Sequence, residues 1–408
     1  MPSDRLLGKR TKLSNKRSPQ GGDLRWLSNG GVRSGEMMQG VWGKQFGPAL
    51  LLAVLALLFN VASAGAQTIR DLPPPPPAPT PKPKPTPTPR DEDFEVIKTN
   101  SNLVMVPVSV VDAQGQALLG LQVGAFRLDE EGRTQDIVEL GNPDQVPLDI
   151  AILFDISSSV SQKGFFAFQQ KAAAAFLKQV LKPSDRAAVF TIADEPKMVS
   201  PLVSADIAAT RLVTIPAASA PVPTAFYDTV AAAAKYLTTN SADRHRRVIL
   251  VISDGDDNFS SMVKETVAEA RASMRGELTP AAARIGLDAR RQRAVLDVQK
   301  AVQQADAAFY SINPGGQSVH LNVISTRSQN AMKSIADSTG GNAFVPDGEK
   351  DLEKVFNEVA AELRGQYLLQ YYSNSQGPGV QFRRIAVAVP SRPDVRVRAR
   401  QGYYPKQK

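Results

Sequence analysis

The strongest constraint on this chain is a series of short, almost wholly apolar runs alternating with helical stretches from Val146 to about Leu363. The runs are LDIAILF (148–154), AAVFTIA (187–193), RVILVIS (247–253), AAFYSI (307–312) and YLLQYY (367–372). Strands apolar at successive positions rather than alternate ones belong in sheets buried on both faces, which parallel strands form. Amphipathic helical stretches lie near 162–181, 225–239, 262–305, 328–339 and 349–363. Strand–helix alternation of this kind predicts a doubly wound α/β domain with right-handed crossovers. No G-x-G-x-x-G follows the first strand, so a dinucleotide-binding fold has little support.

On either side the texture changes. Residues 95–140 and 380–404 alternate apolar and polar positions between turn residues, the pattern of half-buried strands. Two such segments flanking an inserted α/β domain can complete one small β-sandwich, which is expected here over two separate extensions of the central sheet. The basic, alanine-rich stretch 268–304 exceeds what its connection requires. It is expected to be an inserted surface hairpin of helices, with a partner-binding arm as its alternative use.

Composition removes several classes of function. The chain has no cysteine, so disulfides, thiolate metal sites and cysteine nucleophiles are excluded. Its two histidines, His245 and His320, all but exclude a zinc cluster or a histidine-based triad. The net charge is +8, but residues 1–66 hold nine Lys/Arg against three Asp/Glu and so supply +6 of it. The remainder is nearly balanced, and a nucleic-acid partner is not expected.

The leader is a targeting signal in form. Ala49 to Phe59 is an unbroken apolar run of eleven residues, short for a membrane span of ~20 but suited to a signal-peptide core. Lys44 precedes it, and the small residues Ala62-Ser63-Ala64-Gly65-Ala66 follow, so cleavage after Ala64 or Ala66 is expected. The alternative is an uncleaved anchor, the one case in which a membrane would be a partner. The stretch before the apolar run is long, and a start at Met37 or Met38 would give ordinary proportions. Residues 72–89, LPPPPPAPTPKPKPTPTP, impose polyproline II, a semi-rigid spacer of roughly 50 Å at ~3.1 Å per residue. The expected organisation is a leader at 1–66, a proline-rich linker at 67–94, an N-terminal β segment at 95–145, the α/β domain at 146–364 and a C-terminal β segment at 365–408. The expected location is exported: periplasm, cell envelope or extracellular space.

The chemistry gathers at strand ends. The first strand ends in Asp155, within D-x-S-x-S: Asp155, Ser157 and Ser159. Alone, such a run before a helix is most simply an N-cap. The strand at 247–253 leads into Asp254, within Ser253-Asp254-Gly255-Asp256, and Thr224 precedes a strong helical stretch between the two. In open α/β sheets ligands collect beyond the carboxyl ends of the strands. Asp155, Ser157, Ser159, Thr224 and Asp254 form an oxygen-only donor set, which suits hard divalent cations. Three of the five donors are neutral hydroxyls, so a bound ion would keep affinity for one more anionic oxygen. Asp194, Asp256 and Asp257 are nearby acidic candidates, expected instead to be solvated loop charges.

D-x-S-x-S, a distant threonine and Asp-Gly at a strand end together resemble the metal-ion-dependent adhesion site of von Willebrand factor A domains, over about 146–364. The resemblance implies a central, mostly parallel sheet between helices and metal-dependent protein binding. It implies Asp155, Ser157, Ser159, Thr224 and Asp254 as the metal shell, with Mg²⁺ as the first candidate ion and Mn²⁺ or Ca²⁺ behind it. The last coordination position would be filled by an Asp or Glu of a partner protein. LVMVPVSVVDAQGQ, FRLDEEGR and the terminal RARQGYY resemble an acidobacterial-type subgroup of exported proteins with such domains. Two positions depart from the family pattern. Ser158 stands where a glycine is usual, and Val222-Pro223 precede Thr224 where two glycines are usual. Proline fixes φ and stiffens that loop, which makes Thr224 the least secure ligand. The competing functions are a structural envelope protein with a vestigial metal site, and a hydrolase using Asp155 or Ser157 with the metal. No catalytic residue and no organic cofactor site is assigned.

Overall fold

The structure, a computed structural model, describes residues 103–157, 166–315, 323–374 and 381–405. At its centre is a six-stranded sheet. Its strands are β5 (Leu148–Asp155), β6 (Arg186–Ile192), β7 (Lys197–Val203), β8 (Arg246–Ile252), β9 (Ala307–Ile312) and β10 (Ala343–Phe344). They lie in the order β10-β9-β8-β5-β6-β7, parallel throughout except for the antiparallel edge strand β7. This is the doubly wound α/β architecture expected from the apolar runs.

Every position of β5 is buried. Its alternate residues explain how one strand serves two cores, because successive side chains point to opposite faces. Ile150, Ile152 and Phe154 pack on one face with α1 (Phe166–Val180), α2 (Ala205–Val213) and α7 (Glu349–Arg364). Ala151 and Leu153 pack on the other with α3 (Phe226–Asn240), α5 (Pro280–Gln304) and α6 (Val323–Thr339). Each large apolar side chain buried this way contributes about 1.5–3 kcal/mol, which is why the runs dictate a two-layered cover of helices.

Three details differ from the sequence expectation. The run 367–372, grouped with the central strands by its composition although it lies within the expected C-terminal β segment, is not a strand of the central sheet: as β11 (Tyr367–Tyr372) it lies antiparallel between β1 (Leu103–Val111) and β4 (Ile137–Gly141). Leu368, Leu369 and Tyr371 are all fully buried, so this flanking strand is covered on both faces and has the composition of a parallel one. The edge strand β7 contains Pro201, a residue that argues against a strand except at a sheet edge. The insertion is only half a surface hairpin. Helix α4 (Val267–Met274) buries nothing, but the second half of α5 seats Ala294, Val298 and Val302 in the core.

The flanking segments meet in two four-stranded antiparallel sheets. One is ordered β13-β1-β11-β4 and the other β14-β12-β2-β3, where β2 is Arg127–Glu130, β3 Arg133–Gln135, β12 Arg383–Ala388, β13 Arg396–Ala399 and β14 Gly402–Tyr403. They share one core built from Val104, Val106, Val108, Leu128, Leu369 and Ile385, among others. Inside it Glu130, fully buried, accepts hydrogen bonds from Tyr371 (2.5 Å), Ser373 (2.7 Å) and Tyr403 (3.3 Å), with Arg383 at 3.6 Å. A residue from the N-terminal segment is thereby held by four from the C-terminal one. The terminal RARQGYY stretch ties this sandwich to the α/β domain. Arg398 pairs with Glu362 of α7, and Arg400 donates to the carbonyl of Met105 (2.7 Å) and pairs with Asp306.

Candidate metal centre

From β5 the chain crosses to β6 on one side, while β8 flanks β5 on the other. The strand order therefore reverses between β5 and β8, and a crevice opens where the helices diverge to opposite faces. Asp155, the last residue of β5, and Asp254, two residues past β8, stand at this crevice.

Asp155 is fully buried and both carboxylate oxygens are held. Oδ1 accepts the backbone N–H of Ser157 at 2.7 Å, and Oδ2 accepts the hydroxyl of Ser253 at 2.5 Å. Burial first, and the charge of Asp254 second, push the Asp155 carboxyl up to about 6. Among the described residues neither aspartate has a salt-bridge partner. Two neighbouring carboxylates, one wholly buried and uncompensated, are costly unless a cation balances them. The next residue, Gly255, has φ +74 and lies against Met332, where a Cβ would come within 2.8 Å of the side chain. The left-handed backbone favours glycine at that turn, which follows Asp254 directly.

Thr224 lies on the loop before α3, and its backbone is clamped by the loop after β8. Its N–H donates to Asn258 Oδ1 at 2.9 Å, and its carbonyl accepts from the N–H groups of Asn258 (3.1 Å) and Phe259 (3.0 Å). The adjoining Ala225 N–H donates to the carbonyl of Ala193 beyond β6 at 2.6 Å. Ser157 and Thr224 are both buried. The structure thus places Asp155 and Ser157 at one strand end, Asp254 at the neighbouring one and Thr224 on a loop fastened to the latter; Ser159 lies outside the described residues.

Sequence reasoning misread Asp257, and Asp256 in part, and missed two further residues. Asp257 is not a solvated loop charge: it is buried and accepts from the N–H of Tyr227 (2.8 Å), the hydroxyl and N–H of Ser260 (2.5 and 3.0 Å) and the N–H of Phe259 (3.3 Å). It caps the start of α3 and stiffens the β8 loop. Asp256 is half-buried, its carboxyl raised by burial and then by Asp254, whereas Asp194 is exposed as expected. Ser253 and Asn258 position Asp155 and Thr224, and neither was singled out; the only signal was their adjacency to the Asp-Gly pair.

The donor chemistry fits a hard cation. Among the described residues no cluster of three or more His, Cys, Asp or Glu could hold a metal, and the groups near the two carboxylates are hydroxyls, oxygen donors of the kind hard cations take. The Asp155 carboxylate is held by the hydroxyl of Ser253 and by both the backbone N–H and the side chain of Ser157, which fix its orientation at the strand end.

A doubly wound α/β domain with an oxygen-only site at its switch point defines the class. The family profile described as von Willebrand factor type A domain matches residues 149–358. The chain belongs to that family, whose members typically mediate metal-dependent protein interactions. Among solved structures, proximal thread matrix protein 1 from the mussel byssus, described with a zinc-occupied MIDAS motif, is similar at 15% identity and TM-score 0.38. That match covers 58% of this chain and 50% of the mussel chain, so this chain spans half the mussel protein's length. A von Willebrand factor type A protein from Catenulispora acidiphila is similar at 12% identity and TM-score 0.38, covering 76% and 64% of the two chains. An aerotolerance-related membrane protein from Bacteroides fragilis is similar at 17% identity and TM-score 0.33, covering 52% and 98%. No curated protein sequence matches.

Proposed function

We propose that this chain is a metal-ion-dependent, adhesion-type protein-binding module of an exported cell-envelope protein, of the acidobacterial-type subgroup its flanking segments resemble. The observation that carries the reading is Asp155: a fully buried carboxylate beside Asp254, held by protein donors on both oxygens, with no cationic side chain to balance it among the described residues. Asp155, Ser157, Ser159, Thr224 and Asp254 are the proposed shell, and Mg²⁺ is the proposed ion, with Mn²⁺ or Ca²⁺ as substitutes. The bound ion supplies an unsatisfied positive charge at the crevice. The residues do the rest: Ser253 and the Ser157 N–H orient Asp155, and Asn258 holds the Thr224 loop.

On this reading the partner is a protein that offers an Asp or Glu, and its capture is lost with the metal. The role is binding, not catalysis. His245, the described histidine, is committed to Asp149 at 3.0 Å, at the far end of β5 from Asp155, and cannot serve as a base in the crevice. Export follows from the leader's apolar core and small-residue cleavage motif.

The test is partner capture from an envelope extract by wild type, Ser157→Ala and Asp254→Ala, each with magnesium and with EDTA. A partner held only by wild type with magnesium is the expected result. Equal retention in all arms would remove the mechanism.

A further inference from the structure

A groove of about 520 Å³ lies between α5, α6 and the C-terminal segment, away from the metal crevice. Its floor is a ladder of matched rungs. Gln299 Nε2 donates to Ser334 Oγ at 2.8 Å, and one turn on Gln303 Nε2 donates to the Ser338 carbonyl at 3.4 Å. Four residues on each of two helices separate the rungs, a step of about 6 Å. Each amide nitrogen gives one of its two N–H groups to a protein acceptor, so Gln299 and Gln303 each keep a second N–H to donate and an amide oxygen to accept. Asn330 and Gln401 line the same groove, and their side chains bring further paired donors and acceptors.

The wall opposite is aromatic. Phe382 and Tyr404, both half-buried, sit with ring centroids 5.2 Å apart and planes tilted by 55°. The ring of Phe382 lies directly over Gly402, where a Cβ would come within 2.3 Å of it, so the glycine of RARQGYY is needed for the wall to form. The groove is electrically neutral as well. Its two charged residues, Lys333 and Asp337, pair with each other at 2.7 Å.

We infer that this groove is a binding site for a neutral oligosaccharide. Amides that both donate and accept match the adjacent hydroxyls of a sugar, each of which also does both. An aromatic wall takes the apolar C–H face of a pyranose ring, while the groove's lack of net charge favours a neutral ligand over a phosphate, carboxylate or ammonium. The volume lies within the 300–1,000 Å³ range of ligand sites, and the rungs repeat at the scale of successive sugar units. The site does not depend on the metal reading, since no groove residue is a proposed metal ligand.

The test uses the full chain and four probes: the tetramers of N-acetylglucosamine, cellulose and maltose, and a neutral, blocked tetra-alanine peptide. Binding is read by saturation-transfer NMR and calorimetry in wild type, Gln303→Ala and Tyr404→Ala, with melting temperatures recorded for each. The expected result is that at least one saccharide binds in the micromolar to millimolar range, with or without EDTA, and weakens about tenfold or more in both variants while they stay folded. Gln303→Ala, on a helix surface, keeps the result interpretable if Tyr404→Ala melts early. Binding of no saccharide at roughly 10 mM, binding of the peptide alone, or saccharide affinity unchanged in folded Gln303→Ala would overturn the proposal.

Discussion

Ser253 donates its hydroxyl hydrogen to Asp155 Oδ2 at 2.5 Å, joining the ends of β5 and β8 at the point where the sheet's strand order reverses. Both residues are fully buried, and the same serine oxygen accepts the N–H of Gly255 at 2.9 Å. The carboxylate that leaves one strand and the turn that presents Asp254 from the next are thereby fixed by one side chain.

Ser253→Ala tests that role. The substitution removes a charge-assisted hydrogen bond and orphans the Gly255 N–H, at a cost of about 1.5–3 kcal/mol in folding stability. Metal affinity should fall about 10- to 100-fold, the usual effect of losing a group that orients a ligand. Urea unfolding and Mn²⁺ titration measure the two effects; unchanged metal affinity would show that Ser253 does not orient Asp155.

Stability of the metal-free protein should depend on pH through Asp155. Its folded carboxyl titrates at about 6 against the usual 3.8, so the folded state holds the proton more tightly than the unfolded one. The stabilisation is fully present below about pH 4 and is lost as pH rises through about 6. For this fully buried group it amounts to about 3 kcal/mol, and Asp155→Asn should flatten that part of the profile. The same proton competes with the cation, so magnesium affinity should weaken below about pH 6 and stay level above it. Chelator-treated protein whose stability rises with pH across that window would contradict this assignment.

Asn258 should matter through the loop it holds. Asn258→Ala removes the acceptor for the Thr224 N–H, a loss of about 1–3 kcal/mol if no water replaces it. Thr224→Val keeps the shape and removes only the hydroxyl. Weakened metal binding in the valine variant with near-normal stability would assign Thr224 to the shell, whereas unchanged affinity would remove it.

The sandwich should fail as a unit when Glu130 is truncated. Glu130→Ala leaves Arg383, Tyr371 and Tyr403 without their shared partner, which should cost about 3–5 kcal/mol. Glu130→Gln, which keeps an acceptor, should cost less. Urea denaturation orders the three proteins, and equal midpoints would show that the network contributes nothing.

What was legible in the sequence was what burial on both faces of a sheet requires. Runs such as LDIAILF and RVILVIS announced β5 and β8, and the aspartates at or just beyond their ends could be placed from the runs alone. The same signal misled at YLLQYY, because a flanking strand covered on both faces has the same composition as a central parallel strand. Pro201 hid β7, since proline is tolerated only at the edge position that topology, not composition, assigns. At the site, Asp257 was misread because adjacent loop aspartates look alike in sequence, and only the fold turns one of them toward the N–H groups of Tyr227 and Ser260. Ser253 was invisible for a related reason: its partner, Asp155, is 98 residues away.

Calorimetric titration of magnesium into chelator-treated wild type, Asp155→Ala and Asp254→Ala tests the central claim most directly, with circular dichroism confirming that each protein is folded. The account predicts saturable binding of one ion to wild type and no measurable heat of binding in either folded variant. Equal magnesium affinity in wild type and Asp155→Ala would place the ion elsewhere and contradict it.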